Sequence, residues 1–93
     1  MSLLKDGNYR GIGKGDQGEI IVSVEIRNGH ISTVHTLKEQ ESPTVGWKAL
    51  STLEDRIIKK QSCAIDVVSG ATNTSQGFKQ AVQQALKEAS ING

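Results

Sequence analysis

The feature that most constrains the fold of this chain is a two-strand pattern centred on Asn28-Gly29. Residues 19–27 alternate between apolar and polar side chains, which is the period of a half-buried antiparallel strand. Asparagine and glycine both accept the positive φ of the type I′ turn that joins such strands. The β-rich residues 30–38 follow at once. The sequence therefore predicts a β-hairpin.

Further elements are predicted on both sides of this hairpin. Weak alternation over residues 8–13 predicts a short first strand, which a glycine-rich turn joins to the hairpin. Apolar residues recur at helical spacing over residues 47–60 and again from residue 75 to about residue 89, which predicts two amphipathic helices. Residues 64–68 are too few and too β-branched for a helix, so a fourth strand is expected between the helices.

The predicted order, β-β-β-α-β-α, belongs to the α+β class. We expect a small antiparallel sheet with two helices packed on one face. A length of 93 residues fits a single domain covering residues 1–93, and its opening residues are compatible with a domain cut from a larger protein.

Composition excludes several functional classes. The chain has 11 basic and 10 acidic residues and a net charge of +1, which gives no electrostatic reason to expect nucleic acid binding. No run approaches the roughly 18 apolar residues of a membrane span, so direct membrane insertion by this chain is not expected. Cys63 has no second cysteine to pair with, and we expect a small, buried or half-buried residue rather than a nucleophile.

Two other patterns imitate functional sites. Residues 13–18 satisfy GxGxxG, but the dinucleotide fingerprint must open a helix, whereas a strand pattern follows here. We therefore expect a glycine-rich hairpin turn. His30 and His35 have no acidic residue at ligand spacing, so both are expected to be exposed to solvent and no metal site is predicted.

The richest functional signal is the hydroxyl-bearing turn Ser69-Gly70-Ala71-Thr72-Asn73-Thr74 before the last helix. Free N–H groups and the helix dipole make a helix N-terminus suitable for a phosphate. The Thr72 hydroxyl could hydrogen-bond a phosphate or be esterified by one. Taken alone, the composition supports a plain capping turn equally well, with Asn73 or Thr74 as the N-cap.

The fuller pattern Asp66-x-x-Ser69-Gly70-Ala71-Thr72 resembles the flavinylation motif of the FMN-binding domain family. This family includes the C and G type subunits of sodium-pumping NADH:quinone and ferredoxin:NAD oxidoreductases. It also includes modules fused to fumarate- and urocanate-reductase-like flavoproteins. The similarity extends to Asp6-Gly7-x-Tyr9-x-Gly11 and to the central hairpin.

The resemblance implies that Thr72 is joined to the phosphate of FMN by a phosphoester bond. A separate flavin transferase would form this bond with FAD as donor. Ser69, Gly70, Ala71 and Thr74 would complete the phosphate site, with Asp66 as a cap or as a contact for the transferase and its metal. The loop containing Glu41 and Pro43 would lie near the flavin ring, although Thr44 replaces the glycine usual after this proline.

The function that follows from the resemblance is a flavin-carrying electron-transfer module rather than a complete enzyme. It would exchange electrons with a redox partner protein or a fused reductase domain, in some relatives within a membrane-associated complex. The sequence leaves open whether the parent protein is cytoplasmic or is extracytoplasmic and membrane-associated. Two alternatives stay open: a non-covalent FMN-binding module, and a small α+β interaction domain without cofactor. An isolated preparation is expected to lack FMN.

Overall fold

The computed structural model describes residues 4–15, 18–38 and 45–90. These residues form three strands followed by two helices: β1 (Gly7–Lys14), β2 (Glu19–Arg27), β3 (His30–Lys38), α1 (Val45–Lys60) and α2 (Thr72–Ala89). The α+β class is confirmed, and all three strands of the predicted meander lie where the sequence placed them. Helix α1 begins two residues earlier than predicted.

The sheet is antiparallel throughout, in the order β1-β2-β3. The predicted turn between β2 and β3 is confirmed, because Asn28 and Gly29 have φ angles of 53° and 77°. Both helices cover one face: α2 packs on β1 and β2, and α1 packs on β3. The side chains that form the core between the sheet and the helices are mainly aliphatic: Ile20, Val22, Val24, Ile26, Ile31, Val34, Leu53, Ile57, Phe78, Ala81, Val82 and Ala85.

Strand β1 and helix α2 approach each other backbone to backbone. A Cβ atom on Gly13 would overlap the Gly77 carbonyl, and one on Gly11 would overlap the Ala81 carbonyl. A Cβ on Gly77 would lie 2.5 Å from the carbonyl carbon and oxygen of Lys14. The absence of side chains at these three glycines therefore brings the first turns of α2 against the end of β1.

The predicted fourth strand is wrong. Residues 64–68 form no β-ladder with any described residue. Their polar groups bond side chains instead: the Ala64 N–H donates to Ser62 Oγ at 3.0 Å, and the Val68 N–H donates to Ser75 Oγ at 2.9 Å. The buried Ile65 still packs into the core, which accounts for the apolar composition of the segment.

The edge of β3 that faces away from β2 is already hydrogen-bonded by side chains, so it is not open to a fourth strand. The Gln61 side chain accepts from the Ile31 N–H at 2.7 Å and donates to the Ile31 carbonyl at 2.9 Å, as a neighbouring strand would. Glu54 Oε2 accepts from both the N–H and the hydroxyl of Thr36, at 3.2 and 2.8 Å. Two side chains extending from α1 and its end thus occupy this edge.

Among the described residues, no helix has the length and apolar character needed to cross a bilayer. Likewise, residues 4–15, 18–38 and 45–90 contain no group of three His, Cys, Asp or Glu side chains that could hold a metal ion. His30 and His35 are both exposed, and Cys63 is partly buried, as expected.

Candidate functional site

A tight turn before α2 forms the centre of the candidate site. The Ala71 N–H donates to the Val68 carbonyl at 3.0 Å, and Gly70 has a φ of 84°, the combination typical of a type II turn with glycine at its third position. We call residues 68–72 the motif turn. Since no atom lies within 4 Å of a Cβ built on Gly70, its glycine is required by φ rather than by space.

Helix α2 begins one turn earlier than predicted. Its N-cap is Ala71, with φ −137° and ψ 45°, and Thr72 is the first helical residue. The prediction of Asn73 or Thr74 as the N-cap is therefore wrong. The compact turn places Ala71 where the helix can start, so Thr72 lies in the first helical turn, where backbone N–H groups have no helical partner.

Ser75 is the residue that sequence reasoning missed. Its side chain is fully buried, accepts from the Val68 N–H at 2.9 Å and donates to the Ala71 carbonyl at 2.7 Å. It therefore ties the two ends of the motif turn to the first turn of α2. The available signal was a serine inside a helical pattern, because such a hydroxyl commonly bonds the carbonyl four residues earlier.

The predicted phosphate-site residues separate into a surface group and a buried group. Ser69, Gly70 and Thr72 are exposed, so the Thr72 hydroxyl can be reached from solvent. Ala71 and Thr74 are 7% and 5% exposed and lie beneath this surface. The turn thus presents one threonine hydroxyl while its neighbours anchor it to the core.

The remaining predicted residues lie farther from this turn or outside the described ranges. Asp66 is exposed, and its backbone carbonyl accepts from Arg56 Nη1 at 3.1 Å, which fixes the segment leading into the motif turn against α1. Glu41 and Pro43 fall outside the described residues.

Two depressions lie beside the stretch from Asp66 to Asn73, which contains the motif turn. The first, the polar groove, has a volume of about 310 Å³ and is lined by Lys14, Gly15, Asn73, Gln76, Gly77 and Gln80. The second, the cationic cleft, has a volume of about 380 Å³ and is lined by Arg56, Lys59, Lys60, Ile65 and Asp66. Asn73, the residue after Thr72, lines the polar groove. The cationic cleft instead adjoins the motif at Asp66, six residues before Thr72.

Two glutamines of α2 accept hydrogen bonds from the outer edge of β1, and the first of them, Gln80, also lines the polar groove. Gln80 Oε1 accepts from the Lys14 N–H at 3.3 Å, and Gln84 Oε1 accepts from the Ile12 N–H at 2.7 Å. Their spacing of four residues places both on one side of the helix. These bonds hold the end of β1 in a fixed position beside the first turns of α2.

Comparison with known proteins assigns the family. The sequence model of the FMN-binding domain matches residues 15–87, which include the hairpin, α1, the motif turn and most of α2. The chain belongs to the FMN-binding domain family. Its fold resembles the crystal structure of the CPE2226 protein from Clostridium perfringens, with a TM-score of 0.71 and 26% identity, covering 92% of this chain and 88% of that one.

Relatives of this FMN-binding domain include large oxidoreductases. Urocanate reductase of Eggerthella lenta is 36% identical over 78 residues, which cover 84% of this chain and 13% of that protein. NADH:acrylate oxidoreductase of Vibrio harveyi is 30% identical over 86 residues, which cover 92% of this chain and 9% of that protein. This chain thus spans only a small part of the length of these relatives.

The described residues fit the phosphate end of FMN. An exposed hydroxyl at the first position of α2 lies where helix N–H groups and the dipole favour an anion. The polar groove that begins at the next residue offers amide groups and one lysine to a hydroxylated, charged chain.

Proposed function

We propose that this domain carries FMN on the Thr72 side-chain oxygen through a phosphoester bond and serves as an electron-transfer module of a larger flavoprotein. The observation that supports it best is the position of Thr72: exposed, first in α2, and next to a turn fixed by the buried Ser75. Family membership supports FMN as the ligand, and the oxidoreductase relatives support a redox role.

Three residues of the motif turn, Gly70, Ala71 and Thr72, have defined parts in this proposal. Thr72 supplies the oxygen that becomes esterified. The N-terminus of α2 would face the phosphate, and the helix dipole stabilises such a charge by roughly 0.3–1 kcal/mol at an exposed site. Gly70 permits the left-handed backbone that ends the turn, and Ala71 anchors it in the core.

FAD has two phosphorus atoms, one in its FMN part and one in its AMP part. In the attachment reaction, the Thr72 oxygen attacks the one in the FMN part. A bond between this oxygen and phosphorus forms, the pyrophosphate bond to AMP breaks, AMP leaves, and the threonine proton passes to a base of the separate flavin transferase. The reaction needs no oxidant or reductant. The exposed Asp66 carboxylate, six residues upstream, is available to contact the transferase and its metal.

FMN, when bound, supplies one- and two-electron transfer. The chain's own contribution is to hold and orient the cofactor on a rigid surface, because binding sites of cofactors supply orientation rather than the chemistry itself. A shallow, open site retains a ligand poorly, and a covalent bond overcomes that weakness. Electrons would pass to and from a redox partner protein or a fused reductase domain.

The experiment that tests this proposal is co-production of the domain with a flavin transferase, followed by mass measurement of the denatured protein. We expect a mass increase of one FMN-phosphoryl group in the wild type and none in Thr72→Ala. Thr72→Ser keeps a hydroxyl and should still be modified, though more slowly. Thr52→Ala removes an exposed threonine of α1 and should be modified like the wild type.

The alternatives give different results in the same experiment. A non-covalent FMN module would release all its flavin on denaturation, and Thr72→Ala would bind flavin like the wild type. An interaction domain without cofactor would bind no flavin under either condition. An undiminished covalent adduct in Thr72→Ala would overturn the assignment of the attachment residue.

A further inference from the structure

We propose that the polar groove receives the ribityl-phosphate part of the flavin, with the Lys14 ammonium group paired to the phosphate. The inference rests on the proposed function and deepens it by naming which side of the motif turn the cofactor occupies. The groove lies between the end of β1 and the first turns of α2, and it begins at the residue after Thr72.

The groove is bounded by rigid elements. Gly13 and Gly77 bring β1 and α2 into backbone contact at its base, and Gln80 fixes the Lys14 N–H at 3.3 Å. These contacts hold the backbone of Lys14 in place. Only its side chain has to be ordered when the ammonium group pairs with a phosphate. A site on such elements loses little conformational entropy when a ligand binds.

The chemistry of the lining matches a hydroxylated chain ending in a phosphate. The side chains of Asn73, Gln76 and Gln80 are amides, which both donate and accept hydrogen bonds. Among the described lining residues, Lys14 carries the only charge, and it is opposite in sign to a phosphate. A volume of about 310 Å³ is at the small end for ligand sites, which suits part of a flavin better than the whole molecule.

The cationic cleft on the other side of the motif is the competing location. It has more positive charge, but two of its cations already have partners: Arg56 donates to the Asp66 carbonyl at 3.1 Å, and Lys59 pairs with Asp55 at 3.1 Å. Asp66 also lines this cleft, and its negative charge disfavours a phosphate nearby. A phosphate tied to Thr72 is therefore better placed in the polar groove.

The first test compares FMN with riboflavin, which lacks the phosphate, by fluorescence titration of the cofactor-free domain. We expect Lys14→Ala to weaken FMN binding about tenfold, the loss of one hydrogen bond to a charged group, and to leave riboflavin binding unchanged. The matched control Lys60→Ala, in the cationic cleft, should change neither affinity. FMN binding that depends on Lys60 and not on Lys14 would overturn the inference.

The second test uses the covalently modified protein and measures the fluorescence anisotropy of the attached flavin. In Lys14→Ala and Gln76→Ala the adduct mass should be unchanged while the anisotropy falls, because the cofactor chain loses its contacts. Lys60→Ala should match the wild type. If both variants carry a normal adduct and the anisotropy of the attached flavin equals that of the wild type, the groove assignment is refuted and covalent attachment is not.

The two proposals can fail separately. Lys14-dependent FMN binding without any adduct would refute covalent attachment and leave the groove assignment intact. Absence of both the adduct and FMN binding in the wild type would refute both.

Discussion

At the scale of single residues, the motif turn depends on one buried hydroxyl. Ser75 Oγ accepts the Val68 N–H and donates to the Ala71 carbonyl, so a single side chain spans both ends of the turn. The exposed Thr72 has a defined position only because these neighbours are fixed. A buried structural residue thereby determines where a surface residue can react.

We predict that Ser75→Ala destabilises the domain by about 1–3 kcal/mol, because the Val68 N–H loses its acceptor in a buried setting. Flavin attachment to Thr72 should also slow. Urea unfolding gives the first quantity, and the time course of the mass increase gives the second. Ser51→Ala, at an exposed position of α1, is the control and should change stability by less than about 0.5 kcal/mol. Equal stabilities for the two variants would contradict this account of the turn.

At the scale of secondary structure elements, the contact between β1 and α2 decides where the site lies. Gly11, Gly13 and Gly77 remove side chains from this contact, and the helix start comes to rest beside the β1 end. The same closeness forms the base of the polar groove. Packing of two elements thus creates a depression that neither has alone.

We predict that Gly77→Ala destabilises the domain by about 1–3 kcal/mol, although alanine is the better helix former by about 1 kcal/mol. The new Cβ would lie 2.5 Å from backbone atoms of Lys14, which cannot rotate away, so helix and strand must separate. Urea unfolding measures the effect. The exposed Gln83→Ala in the same helix should be neutral or slightly stabilising. A Gly77→Ala variant as stable as Gln83→Ala would show that the contact is looser than described.

Elements with a local signal could be predicted from the sequence, and those that depend on distant partners could not. The alternation of β2 and the Asn28-Gly29 turn act over neighbouring residues, so the hairpin was foreseen with its bounds. Residues 64–68 have strand composition, but strand formation needs a free edge, and Gln61 and Glu54 already occupy the β3 edge.

The candidate site divides along the same line. Thr72 as the candidate residue and a helix close to it were predicted from adjacent residues and from the family resemblance, but the helix begins at Thr72 itself rather than at Ser75. The polar groove joins residues about 60 positions apart, and its existence depends on glycines whose role appears only in three dimensions. Ser75 was missed because its two partners lie on a turn whose shape the sequence pattern did not define.

At the scale of the whole molecule, Lys5 and Asp6 connect the segment before β1 to the end of α2 and to the turn between β2 and β3. The Lys5 N–H donates to the Ala89 carbonyl at 2.7 Å, which connects the entry of the chain to the end of α2. The Asp6 carboxylate then accepts the N–H groups of Asn28 and Gly29, both at 3.1 Å. Three distant parts of the molecule therefore meet at residues 5 and 6.

We predict that this junction makes stability depend on pH. Hydrogen bonds from the Gly29 and Asn28 N–H groups lower the pKa of Asp6 from its ordinary 3.8. A lowered carboxyl pKa contributes stability that is complete above the unfolded value and is lost as pH falls through the folded value. The wild type should therefore exceed Asp6→Asn in urea midpoint at pH 7, and the gap should narrow below about pH 4.

If the difference in urea midpoint between the wild type and Asp6→Asn stays constant or widens on acidification, this role of Asp6 is contradicted. The conservative control is Asp55→Asn, whose carboxylate lies on the exposed side of α1 and pairs only with Lys59 among the described residues. Its midpoint should follow the wild type closely at both pH values, because exposed ion pairs on a helix contribute little.

The hydrogen bonds that Ser75 makes have a consequence for how a modifying enzyme would select its target. Both partners belong to this chain, so the conformation of the turn does not wait for a cofactor to induce it. The modifying enzyme would then recognise the folded motif turn rather than a linear sequence of residues. A short peptide copying residues 64–78 would have to be ordered first, at an entropic cost that the intact domain has already met during folding.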